Sequence, residues 1–184
     1  LVEFLVQLAR QDPSIRGIGV DMDADAVAEA GREAGKHGVA DRLSFVRGEV
    51  GTGPLPVDRQ GLAHVDAVTA MHVLHEFGRS GRAHLVAVLK SLAAALPGRL
   101  LVFAECVPAD PPAMAAERPS TYSQLDYLLV HPLSGQGSPL GPDEWALLVE
   151  EPGFRMIGSR MIHWIGIYAA RAAGAGPAGE EGAP

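Results

Sequence analysis

Four short runs of apolar and β-branched residues, each stopping at a polar or sulfur-bearing side chain, limit what this chain can fold into. They are Ile15 to Val20 (IRGIGV), Leu43 to Arg47, Val65 to Met71 (VDAVTAM) and Leu100 to Glu105 (LLVFAE). Short apolar runs without strict alternation read as strands buried on both faces, the pattern of a parallel sheet covered by helices. Helical stretches lie around them. Leu1, Phe4, Leu5 and Leu8 recur at helical spacing up to Pro13, and Asp23 is placed to cap a helix through Val27 and Ala30 to His37, stopped by Gly38. Leu85, Val88, Leu89 and Leu92 share one face of a helix from about Arg82 to Leu96, closed by Pro97-Gly98. Further on, the sequence predicts a helical stretch around Pro119–Val130, a loop from Pro132 to Gly141 and a helix from Pro142 to near Gly153. Two strands, Phe154–Ile162 and Trp164–Ala170, close the fold. The expectation is an α/β fold, a Rossmann-like and mostly parallel sheet with helices on both faces.

At 184 residues the chain has room for one domain, expected over residues 1–171. Residues 172–184 contain only Ala, Gly, Pro and Glu and are expected to form a disordered tail. Lys plus Arg total 15 against 22 Asp plus Glu, a formal charge of −7. That balance argues against binding nucleic acid or an anionic membrane through bulk charge. Cys106 stands alone, which excludes an internal disulfide and a multi-cysteine zinc site. No apolar run reaches the roughly 18–20 residues of a membrane-spanning helix. The opening stretch carries Glu3 and lacks the basic segment of a signal peptide. A soluble, cytoplasmic protein is expected.

In open α/β sheets ligands sit beyond the carboxyl ends of the strands, so the residues there come first as candidates. Asp21 ends the first run, where a carboxylate can accept two adjacent ribose hydroxyls or simply cap the next helix. Glu49 follows the second, either near an adenine edge or as a solvated loop acid. The third leads into Met71-His72-Val73-Leu74-His75-Glu76-Phe77, with two histidines and an acid in five residues. His75 is the candidate base, since imidazole titrates near pH 6.5, and His72 is read as a wall or packing residue. Glu105 ends the fourth run and either orients a histidine or caps a turn. Cys106 reads as a small core residue, with no basic residue near it in sequence. His131 opens the loop HPLSGQ, where it is either structural or half of a metal site shared with His75.

These residues lie in stretches that resemble class I S-adenosylmethionine-dependent methyltransferases of the small-molecule O-methyltransferase type. The stretches are GIGVDMDADAVAEA, LSFVRGEV, VDAVTAMHVLHEF, SLAAALPGRLLVFAECVP and GPDEWALLVEEPGF. The resemblance implies S-adenosylmethionine as cofactor and methyl transfer to a small-molecule hydroxyl. It places the ribose acid on Asp21, the adenine-side acid on Glu49, and further cofactor contacts on Met22, Val50 and Met71. The general base falls on His75 and the acid steadying it on Glu105. Lysine is frequent in the family where Met71 stands, and an acid that some members place after His131 has no counterpart in LSGQGSPLG. The family's first strand and glycine-rich loop are expected to precede Leu1, as is a helical domain through which the full-length protein would form a homodimer. A sub-branch C-methylates 2-oxo acids with a metal, iron or zinc, held by two histidines; there His75 and His131 would be ligands. Two other readings compete. A dehydrogenase also places an acid like Asp21 after its second strand, though LHEF and AEC argue against it, and an inactive truncated remnant would keep only the outer elements.

Overall fold

The structure is a computed structural model that describes residues 2–107, 129–135, 137 and 139–174. Most of the helical stretch expected around 119–130, and the tail beyond 174, lie outside the described residues. The chain divides between Leu62 and Ala63 into two compact units.

In the first unit, helix α1 (Val2–Gln11), strand β1 (Gly17–Asp21), helix α2 (Ala24–Lys36) and strand β2 (Leu43–Arg47) follow the expected order. The strands pair in parallel, from Gly17 opposite Leu43 to Asp21 opposite Arg47. Asp23 caps α2 by accepting the Asp25 N–H at 2.8 Å. At the other end Gly38 takes φ +67° and the Val39 N–H reaches back to the Ala34 carbonyl at 3.0 Å. This is the left-handed stop that only glycine adopts without strain, and it turns Val39 into the core. Val6, Ala9, Ala34, Val39 and Leu43 form that core, with Leu5, Ile15 and Phe45 packed against it. A short helix, α3 (Arg59–Ala63), follows β2. Asp58 Oδ1 caps it through the Gly61 N–H at 2.7 Å.

The second unit is built on a four-stranded sheet in the order β3-β4-β6-β5, with β3 (Ala67–Met71), β4 (Leu100–Cys106), β5 (Phe154–Ile162) and β6 (Ile165–Ala172). β3 and β4 are parallel, as the helical connection between them requires. That connection contains the short helix α4 (Leu74–Phe77), one 3₁₀ turn (Gly78–Ser80) and helix α5 (Arg82–Ala95). β6 runs antiparallel to both β4 and β5, so the sheet is mixed. The reason is local: β5 and β6 are joined at His163-Trp164, where His163 takes φ +53°, and a two-residue turn can only join antiparallel neighbours. Residues 129–133 are helical, so Pro132 and Leu133 extend a helix where the sequence suggested a loop. Helix α6 (Pro142–Glu150) starts at Pro142 as expected.

α5 turns Leu85, Val88, Leu89 and Leu92 inward, and α6 adds Trp145, Leu148 and Val149. Phe103 of β4 stacks on Tyr168 of β6 at 4.8 Å and tilts against Trp145 at 5.3 Å. Neighbouring residues on α6 test this packing. Leu148 is 1% exposed and Leu147 66%. Leu148→Ala is expected to lower the unfolding free energy by about 2–5 kcal/mol in urea titrations, and Leu147→Ala to change it by less than about 0.5 kcal/mol.

Candidate active site

The first unit carries Asp21, Met22, Glu49 and Val50 at the carboxyl ends of β1 and β2, as the sequence placed them. The Asp21 side chain turns back on its own chain, Oδ1 accepting the Asp23 N–H at 2.9 Å. Its carbonyl takes the Gly48 N–H at 2.9 Å, and Arg47 Nε donates to the Met22 carbonyl at 3.2 Å. These bonds tie the two strand ends together. Asp21 Oδ2 accepts no hydrogen bond among the described residues. Asp21 also borders an open, shallow groove walled by Leu5, Gly19, Ala26, Val27 and Phe45. Met22 and Glu49 are exposed, and Val50 is half-buried.

In the second unit the chain turns sharply after β3. His72 sits at φ +53°, uncommon outside glycine, while its N–H holds the Ala104 carbonyl at 2.8 Å. That turn aims the first N–H groups of α4 at Glu105. Oε1 of Glu105 accepts from Leu74 at 2.7 Å, Val73 at 3.1 Å and His75 at 3.4 Å. Its other oxygen, Oε2, lies 2.7 Å from His75 Nδ1. Both side chains are buried, His75 at 3% and Glu105 at 1% exposure. A carboxylate taken out of water needs this many donors, and the start of a helix supplies them ready-aligned. An ionised carboxylate only accepts, so the network assigns the proton to Nδ1 and leaves the basic lone pair on Nε2. Glu105 thus both orients a histidine and caps a turn. The turn is the one after β3, about thirty residues before it in the chain.

The structure brings His131 to the same place. Its ring meets that of His75 edge-on, with centroids 5.2 Å apart. Gly137 shows why the segment can come so close: at φ +91° its backbone presses on the His75 carbonyl, where a Cβ would collide. Met71, half-buried, ends β3. Cys106 is buried, as its composition and place in a strand imply, but it is not remote from a base: Sγ lies 3.3 Å from His72 Nδ1. His72 follows β3 and Cys106 ends the adjacent β4, a proximity that their separation of 34 in sequence hides. Tyr168 was not singled out by sequence. No motif marks it, and only the register of β6 on β4 brings it beside Glu105.

No family model matches the chain. It is 45% identical over 47 residues to the release factor glutamine methyltransferase of Nitratidesulfovibrio vulgaris, covering 26% of this chain and 16% of that protein. Among solved structures it is similar to TnmH, with a TM-score of 0.72 and 25% identity over 91% of this chain and 46% of the other. It is also similar to NcsB1, an O-methyltransferase from neocarzinostatin biosynthesis solved with S-adenosyl-L-homocysteine and 1,4-dihydroxy-2-naphthoic acid. That match has a TM-score of 0.69 and 20% identity, covering 92% and 45%. The fold is that of the S-adenosylmethionine-dependent O-methyltransferases. The chain spans under half the length of the solved structures it matches. Among the described residues no helix is long and apolar enough to cross a membrane.

Burial, and then the nearby charge of Glu105, push the Tyr168 phenol from its ordinary value near 10 up to about 12. The sign of the consequence is fixed. Between these values the unfolded chain has lost the phenolic proton and the folded chain has kept it, so stability falls as pH rises above about 10. Denaturation curves from pH 8 to 11.5 are expected to show that decline, and Tyr168→Phe to flatten it.

Proposed function

We propose that this protein catalyses transfer of the methyl group of S-adenosylmethionine to a hydroxyl of a small molecule, with His75 as general base. The observation that carries the proposal is the buried Glu105–His75 pair, in which one carboxylate fixes both the helix turn and the imidazole. S-adenosylmethionine supplies an electrophilic methyl on a sulfonium. A neutral hydroxyl is a weak nucleophile, and it needs its proton removed as the new bond forms. His75 Nε2 takes that proton. Glu105 faces the imidazolium that results and offsets its charge, while the three N–H bonds on Oε1 keep the carboxylate from turning away. Burial excludes water from the pair and strengthens both effects.

The first unit fits the cofactor's nucleoside part. Asp21 holds one oxygen on its own backbone and has the other ready for a ribose hydroxyl, beside an apolar groove. Glu49 and Val50 would meet the adenine and Met22 would add an apolar contact; the second unit's Met71 is the further contact that the resemblance implies. The aromatic diol bound to NcsB1 makes phenolic hydroxyls the first acceptors to test. Homodimerisation of the whole protein belongs to the same proposal.

The closeness of His75 and His131 favours a second reading, in which both imidazoles hold a metal and the acceptor is the carbon beside a 2-oxo acid's keto group. The described residues fit it less well. They offer no group of three or more His, Cys, Asp or Glu placed to hold a metal, and Glu105 is engaged by Nδ1 of His75.

Titration calorimetry is expected to show S-adenosylmethionine bound at least about tenfold more weakly by Asp21→Ala, the loss of a charge-assisted hydrogen bond. Unchanged affinity removes Asp21 from the site. His75→Ala is expected to lower kcat about 10²- to 10⁴-fold while cofactor affinity stays within about twofold. Metal analysis and chelation separate the two chemistries. Wild type free of metal and fully active after chelation supports the base. Stoichiometric iron or zinc that disappears in His131→Ala sinks it in favour of the metal.

A further inference from the structure

Strand register sets Glu105 opposite Gly166 and Phe103 opposite Tyr168. Residues two apart on a strand share a face, so Glu105 and Tyr168 are diagonal neighbours on one face of the β4–β6 pair. The Tyr168 ring stacks on Phe103 and runs along β6 over Gly166, close enough that a Cβ there would collide with Oη. The hydroxyl therefore stands in the space that a side chain at position 166 would fill, facing Glu105 across the pair. Tyr168 is 2% exposed, and its hydroxyl has no hydrogen-bond partner among the described residues. A buried O–H without a partner is disfavoured, so its presence calls for a reason. Glu105 supplies one. Its Oε1 is crowded by three N–H donors, whereas among the described residues Oε2 receives only His75 Nδ1 and has acceptor capacity left.

We infer that Tyr168 is a positioning residue for the His75–Glu105 pair, its phenolic O–H serving Oε2 of Glu105 directly after a small rotation or through one bridging water. The hydroxyl restrains the carboxylate from the side opposite α4, so that Oε2 stays aligned with Nδ1 when the imidazole gains a proton. Glycine at 166 is the condition for this, since any larger side chain occupies the hydroxyl's place. The phenol keeps its proton at every pH where an imidazole works as a base, and so remains a donor throughout. The inference deepens the proposed methyl transfer and rests on it for its catalytic meaning.

The test is Tyr168→Phe in the 184-residue chain, which keeps the ring stack and removes one oxygen. The primary readout is the low-field proton resonance of His75 Nδ1–H, assigned by its loss in His75→Gln. The expected result is a shifted resonance, a melting temperature equal to or above wild type, and kcat lowered about tenfold at unchanged KM. A resonance and kcat equal to wild type overturn the inference. So does a melting temperature that falls in step with kcat, which would make Tyr168 a packing residue only. Wild type without methyl transfer, but with a resonance that moves in Tyr168→Phe, would remove the proposed function and leave the positioning role standing.

Discussion

The second unit depends on one buried charge. Glu105 lies at 1% exposure at the end of β4, and a carboxylate there is tolerable only if donors surround it. They come from the turn after β3, which must therefore bend through the unusual backbone of His72 and start a helix at once. The four-residue helix α4 is too short to be stable by its own hydrogen bonds. It exists because its orphan N–H groups have an anion to bind. Once that turn is fixed, His75 is one residue along it, and its ring falls on the remaining carboxylate oxygen. The geometry of the candidate base is thus a by-product of solvating a charge without water.

This also explains what was legible beforehand. The strands were visible because burial on both faces leaves uninterrupted apolar runs, and helix ends were visible because Asp23, Gly38 and Pro142 act locally. Direction was not. Nothing in Phe154–Ile162 or Ile165–Ala172 distinguishes a parallel from an antiparallel partner, and the deciding feature is the tight turn at His163. The helix through Pro132 and Leu133 was hidden by a composition of Pro, Ser and Gly that normally marks a loop.

The candidate site divides along the same line. Asp21, Glu49, His75 and Glu105 were readable because each stands at or just after a strand end, a position that sequence order alone identifies. Their supports were not readable, because each depends on a contact between distant segments. Gly137 matters only through its approach to the His75 backbone, and Gly166 only through the ring of Tyr168. Cys106 and His72 are neighbours only because β3 and β4 are parallel and in register. A glycine in a polar loop and a tyrosine in an apolar strand carry no mark of such roles.

The two strand-end acids, finally, show how burial divides labour between chemically equivalent groups. Asp21 gives one oxygen to the Asp23 N–H two residues on, keeps the other without a partner among the described residues, and borders a groove. Glu105 engages both oxygens with the protein and is 1% exposed. A carboxylate with unused acceptor capacity at a groove recognises hydroxyls that arrive from outside, because the ligand then replaces water with a charge-assisted bond. A carboxylate enclosed by protein donors is closed to ligands from outside, but it responds strongly to a charge appearing on the imidazole it touches, since little water screens the interaction. The first arrangement suits a residue that binds, the second one that steadies another group during a reaction. The proposed assignment of Asp21 to the cofactor and of Glu105 to the base rests on that difference in surroundings, and side-chain chemistry alone would not have separated them.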